Sequence, residues 1–212
     1  MKNWLDNIRK PNKEIKISKK IINSLLILVL GIILGAFSKW LDNMAIDDMI
    51  WWQHILGLLD LRNVFSEFGI WIFLAVLISI FSKTPLRASL NVFLFFLGMT
   101  TSYHLYTILF SGFNPKSYMM IWYAITLITP ILAFICWYAK GNSKVSLIIC
   151  IVILAVMMLF SFGIGMWYFD FRSIIDTFLF IGTMAILYTN PKNSIYSLVG
   201  AIVLTFALRI LV

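Results

Sequence analysis

His104 and Asp176 combine chemical capability with positions that ordinary loop charges do not have. Each falls a turn or more inside an apolar run, where an ionisable group costs roughly 2.5 to 3.5 kcal/mol unless it faces protein or water. A histidine titrates near neutrality and a neighbouring carboxylate can exchange a proton with it. The two could therefore act as acid and base, contact a polar solute, or join His54 and a connector carboxylate at a metal. An interhelical hydrogen bond is the plain structural alternative for both. The chain has 2 histidines and 2 cysteines, with no His-x-x-x-His or His-Glu-x-x-His spacing, so no metal centre and no cofactor is expected. No catalytic residue is assigned.

Other residues that could join such a site cluster between the first two apolar runs. The connector from Lys39 to Glu67 carries Trp40, Asp42, Asp47, Asp48, Trp51, Trp52, His54, Asp60 and Arg62, whereas most of the remaining chain is hydrocarbon. Asp42, Trp52, His54 and Glu67 from this stretch, Tyr103 beside His104, and Arg172 near Asp176 complete the substrate-binding candidates. Arg172 and Asp176 stand at i, i+4 spacing and could instead pair with each other.

The elements that must position them are membrane helices. Of 212 residues, 61% are hydrophobic and 12% charged, and mean hydropathy is +0.94; soluble domains carry about 25% charged residues. A helix needs roughly 20 apolar residues to cross the hydrocarbon. The runs predict an all-α, polytopic transmembrane bundle of about seven spans: 21–37, 64–82, 89–110, 118–138, 145–166, 173–188 and 195 to the end. Residues 1–20 form a basic cytoplasmic arm, read as lying on anionic headgroups or as a solvated tail, and 21–212 form the transmembrane domain. In the outer connector, 38–63, Asp47 and Asp48 are placed to cap a short interfacial helix from Met49 to Leu59. Gly31 and Gly35 leave span 1 a small-residue face for another helix, within the chain or in a partner. Pro130 interrupts span 4, with Thr126 or Thr129 at hand to satisfy the carbonyl it frees. Gly163-x-Gly165 falls inside a predicted apolar helix, not after a strand, which excludes phosphate cradling.

Charge sorting sets the orientation. With the N-terminus cytoplasmic, 12 of the 17 Lys and Arg face inward, while 7 of the 9 Asp and Glu face outward. This follows the positive-inside rule for a multi-pass cell-membrane protein and makes the net charge of +8 a topology signal, with no nucleic-acid partner implied. A hairpin of the last two runs that fails to cross would instead return the C-terminus to the inside.

At Phe37 to Asn43, at Trp51-Trp52-Gln53-His54 and at Ser82 to Arg87, the chain resembles small uncharacterised bacterial multi-span membrane proteins. In size and span number it is more loosely similar to the substrate-binding subunits of energy-coupling-factor vitamin transporters. Those use a small-residue motif in the first span, here Gly31 and Gly35, but have one span fewer. That similarity implies a small-molecule solute and an ATPase subunit as partners besides the lipid bilayer. Three functions stand: a solute-binding or transport protein with an outward-facing polar pocket; a membrane-embedded acid/base or metal-assisted enzyme; and a non-catalytic subunit of a membrane complex whose glycine face docks a partner helix.

Overall fold

The computed structural model describes residues 2–11, 16–45, 47, 49–165 and 167–211. The chain is a helical membrane bundle. Its helices are α1 (Lys2–Ile8), α2 (Ile17–Asn43), α3 (Trp51–Leu58), α4 (Leu61–Ser66), α5 (Phe68–Phe81), α6 (Pro85–Phe110), α7 (Lys116–Trp137), α8 (Lys144–Ser161), α9 (Ile174–Leu187) and α10 (Pro191–Leu211). Strands β1 (Phe162–Ile164) and β2 (Phe169–Phe171) form a hairpin between α8 and α9. Five helices, α2, α6, α7 with its terminal turn, α8 and α10, are long and apolar enough to cross a membrane. α5 and α9 have 14 residues each, about 21 Å at 1.5 Å per residue.

Short polar residues start the helices where the apolar runs begin. Thr84 caps α6, with Pro85 in its first turn; Ser143 caps α8 and Ser173 caps α9, each accepting a backbone N–H three residues on. Asn190 does the same before α10, accepting from the Asn193 N–H at 2.8 Å. Pro130 lies within α7, and the Thr129 hydroxyl donates to the Thr126 carbonyl at 2.8 Å. That bond replaces the one proline cannot make.

The helices run between two chemically distinct ends. At the basic end Arg9 donates to the Trp137 and Ile80 carbonyls, Arg87 to the Lys20 carbonyl, and Lys140 to those of Ile186 and Tyr188. At the acidic end Asn43 meets Ser111, Arg62 meets the Met44 carbonyl, and Arg172 meets Glu67. Two apolar cores share α5: Trp71 belongs to the core formed with α2, α4, α6 and α7, and Val76 and Ile80 to the core formed with α8, α9 and α10.

The seam between α2 and α6 is a close backbone contact. A Cβ at Gly31 would overlap the Phe95 carbonyl oxygen, and one at Gly35 the Met99 carbonyl oxygen. From the other side, a Cβ at Gly98 would lie 2.7 Å from the Leu28 carbonyl oxygen. The glycine face of the first span is thus occupied within the chain.

Several expectations are corrected. The connector helix expected from Met49 to Leu59 is present as α3, but a second short helix, α4, follows it across Asp60, whose backbone is left-handed (φ 51°); aspartate is among the few residues that adopt this region readily. Asp47 does not cap α3; its carboxylate accepts the Met49 N–H at 3.0 Å in a preceding turn, and the N-cap is Ile50. Asp48 lies outside the described residues. The second span begins at Phe68, because Glu67 has extended backbone. The fifth stops at Ser161, and Gly163 sits in β1 opposite Asp170. Two weak helix formers, Gly163 and Gly165, follow a phenylalanine that prefers extended backbone. Phe162, Phe169, Phe171 and Phe180 then pack together, with Phe162 at 5.1 to 5.6 Å from the other three ring centroids.

Part of the N-terminal arm docks on the bundle, while Trp4, Lys10 and residues 16–19 stay exposed. Ile8 is buried, and its carbonyl lies where a Cβ on Gly141 would sit. Arg9 stands 4.1 Å over the Trp137 ring. Burial lowers the Arg9 pKa from its ordinary value, a cost offset by two carbonyl acceptors and an aromatic face.

Gly35→Leu should separate α2 from α6 and cost at least the roughly 1 to 3 kcal/mol typical of overpacking, read as a lower unfolding temperature in detergent micelles. Arg9→Ala should lower stability by about 1 to 3 kcal/mol and release the arm, read as faster proteolysis between α1 and α2 with α5 to α10 still protected.

Candidate functional site

The eight sequence candidates do not form one site. Asp42 and Tyr103 meet: the Tyr103 hydroxyl donates to Asp42 Oδ2 at 2.7 Å. Lys39, one helical turn before Asp42, lies 3.8 Å from the same oxygen and 5.4 Å from the centre of the Tyr103 ring. With 8% of its surface exposed, Lys39 is a largely buried cation whose charge needs this carboxylate and ring. The helical spacing of Lys39 and Asp42 was visible in the sequence; that Tyr103 on α6 closes the triad was not.

His104 points elsewhere. Its Nδ1 is 3.1 Å from the Tyr123 hydroxyl and its Nε2 is 3.0 Å from Asn114 Oδ1. The amide oxygen can only accept, so the ring is assigned as the Nε2–H tautomer with the tyrosine donating to Nδ1. Both ring nitrogens are thereby engaged in joining α6 to α7 and its preceding loop.

Asp176 is buried at 4% exposure in the first turn of α9, and its N–H donates to the Ser173 hydroxyl at 3.1 Å. A carboxylate there faces the positive end of the helix dipole. Gly69 on α5 leaves it room: a Cβ at that position would stand 3.6 Å from Asp176 Oδ1. Arg172 does not pair with Asp176 but bridges to Glu67 Oε2 at 3.1 Å, tying the β2–α9 loop to the start of α5. His54 is exposed on α3, and Trp52 stacks on Trp40 at 6.5 Å. Among the described residues no group of three or more His, Cys, Asp or Glu side chains could hold a metal.

At the acidic end there is a cavity of about 90 Å³ bounded by Ser38, Asp42, Trp71, Tyr103, Tyr118 and Trp122. Neither α3 nor α9 lines it. It would hold about three waters at roughly 30 Å³ each, below the roughly 300 to 1,000 Å³ of ligand sites. Those side chains come from α2, α5, α6 and α7 and seal the end by stacking on one another.

The large cavity, about 950 Å³, lies at the opposite, basic end. Its wall is mostly apolar, with Leu26, Ile27, Ile78, Phe81 and Phe134 among its members, and Lys20, Lys83 and Arg87 provide its cations. A polar chain starts from its wall, where Arg87, Asn91 and Ser82 border the cavity. Arg87 donates to the Ser24 hydroxyl at 2.9 Å, Ser24 to Asn91 Oδ1 at 2.8 Å, and Asn91 Nδ2 to the Ser82 hydroxyl at 3.3 Å. The Ser82 carbonyl in turn accepts the Trp137 indole N–H at 2.8 Å. Sequence reasoning counted Lys83 and Arg87 only as topology signals. The usable clue was three polar residues, Ser24, Ser82 and Asn91, at the basic edge of three different apolar runs.

The two cavities lie along one face of α6. Asn91 borders the large one and Met99 the small one; Phe95, one turn from each, is completely buried between them and packs on Trp71 at 6.3 Å and Phe96 at 5.5 Å. Just beyond, the Thr100 and Thr126 hydroxyls meet at 3.1 Å. Comparisons of this chain with protein-family models, curated proteins and solved structures find no match.

His104→Ala should remove two hydrogen bonds at the α6–α7 junction and lower stability by about 1 to 3 kcal/mol, read by thermal unfolding. In the same variant Asn23→Cys, which borders the basic-end cavity, should still react with a small maleimide, because His104 lies at the other end of α6.

Proposed function

We propose that this chain is a multi-pass cell-membrane protein, N-terminus in the cytoplasm, that binds a small solute in its basic-end cavity and passes it across the bilayer. The basic end faces the cytoplasm under the positive-inside rule. The observation that carries the reading is the pair of cavities on one four-helix unit, α2, α5, α6 and α7, with Phe95 between them. One is large enough for a solute and the other is collapsed. This is the form of a carrier loaded from one side and shut at the other, and it moves the solute site from the outward pocket expected from sequence to the inward one. On this reading the Lys39, Asp42 and Tyr103 triad is the closed outer gate, holding α2 to α6 by charge and hydrogen bonding.

The other two readings have less support. An acid/base enzyme needs His104 and a carboxylate in one cavity, and His104, whose ring nitrogens are both engaged, lines neither of the two. A docking subunit that uses Gly31 and Gly35 needs a face that α6 already covers.

The test is side-specific labelling of chains whose native cysteines, Cys136 and Cys150, are replaced by alanine. In membrane vesicles of known orientation, Asn23→Cys should react with an impermeant maleimide from the cytoplasmic side only. Thr100→Cys should be shielded from that side and become reactive when Phe95→Ala is added. Reaction of Asn23→Cys from the outside alone would reverse the orientation. A shielded Thr100→Cys in the double variant would show that no path joins the cavities.

A further inference from the structure

We infer that the basic-end cavity holds an anionic phospholipid from the adjoining leaflet, with an acyl chain along its apolar wall and its phosphate among Lys20, Lys83 and Arg87. This rests on the reading of that cavity as a binding site, and not on transport.

Three observations point to an amphiphile and not a freely soluble anion. First, the wall is continuous with surface that bilayer hydrocarbon would cover: Leu26 is 62% exposed, Phe81 69% and Leu86 73%, and all three border the cavity. A water-soluble anion gains nothing from such a wall, whereas each buried methylene of an acyl chain does. Second, charge is placed at one end only. Among the described residues bordering the cavity, Lys20, Lys83 and Arg87 stand against a single carboxylate, Asp6. Basic groups between membrane helices at a cytoplasmic surface are the setting in which anionic headgroups bind. Third, the cationic end is built and not merely a loose rim. Arg87 is held by the Lys20 carbonyl and the Ser24 hydroxyl, and a guanidinium carries five N–H donors, so these bonds do not exhaust it. Ser24 is itself fixed by Asn91, which is buried at 6% exposure.

The helices also make the room. α2 and α5 both pack on α6, and the cavity opens where their basic ends stand apart over it, from Ile27 on one side to Ile78 on the other. The docked arm, through Leu5, Asp6 and Pro11, supplies a further wall. A chain entering sideways between α2 and α5 would thus place its polar head beside the cations at the membrane surface.

Native mass spectrometry of the full chain in mild detergent, titrated with phosphatidylglycerol or phosphatidylcholine of identical acyl chains, tests this. One phosphatidylglycerol should be retained in preference to phosphatidylcholine. Lys83→Gln should reduce that preference about fivefold, and Lys20→Gln with Lys83→Gln further, while the unfolding temperature without lipid stays unchanged. Leu26→Trp, which fills the wall, should reduce retention of both lipids. Equal retention of the two lipids, lost only in Leu26→Trp, would overturn the anionic headgroup and leave the cavity as a binding site. No specific retention of either lipid, unaffected by Leu26→Trp, would overturn both. Displacement of phosphatidylglycerol by inorganic phosphate at millimolar concentration would overturn the lipid as occupant in favour of a free anion.

Discussion

Helices in a bilayer gain little from expelling solvent from between them, because lipid tails are as apolar as their own side chains; close backbone approach has to supply the attraction. In this chain Gly31 and Gly35 of α2 and Gly98 of α6 provide it, letting the two backbones touch where any side chain would intrude. Most of what is distinctive about the molecule follows from that contact. With the two helices pressed together at mid-depth, their polar residues are brought into register on either side of it: Ser24 with Asn91 toward the basic end, Lys39 and Asp42 with Tyr103 toward the acidic end. A polar link in hydrocarbon is stable only when its partner is delivered to it, and the glycine seam makes that delivery.

α5 plays a different part. Being only 14 residues long and preceded by a break at Glu67, it contributes Trp71 to one core and Val76 and Ile80 to the other. The Arg172–Glu67 pair fastens the far end of the same junction. Partly exposed ion pairs are worth about 0 to 1 kcal/mol, so this one fixes the loop after β2 more than it stabilises the bundle. Asp176 and His104 belong to the same economy of positions. Asp176 is fixed through its backbone N–H at a helix start, and the His104 imidazole sits between a tyrosine and an asparagine.

The cavities show how one scaffold treats its two ends differently. At the acidic end Tyr103, Tyr118 and Trp122 fall on neighbouring faces and close on each other, Tyr103 to Tyr118 at 6.3 Å and Tyr118 to Trp122 at 6.4 Å. Toward the basic end the helices and the turn between α5 and α6 carry short polar residues, Ser24, Ser82, Thr84 and Asn91. Large packed rings at one mouth and small hydroxyl and amide groups at the other fit a small cavity at the first and a large one at the second.

Composition and periodicity alone determined that this chain is a helical membrane protein, roughly where its long helices lie, and how its charges divide between two ends, because hydrocarbon permits few alternatives to a continuous apolar helix. The sequence also supplied the answer to Pro130, in the adjacent Thr129, since that repair is local. It did not reveal the hairpin after Ser161, where aromatic packing among Phe162, Phe169, Phe171 and Phe180 outweighs the apolar run. Nor did it reveal which polar groups meet. Depth along a helix can be read from residue number, which is how His104, Asp176, Asp42 and Glu67 come to be candidates for one site; rotation about the helix axis depends on partners far away in the chain, and only the packed structure sent them to four different neighbours and opened the cavity at the other end.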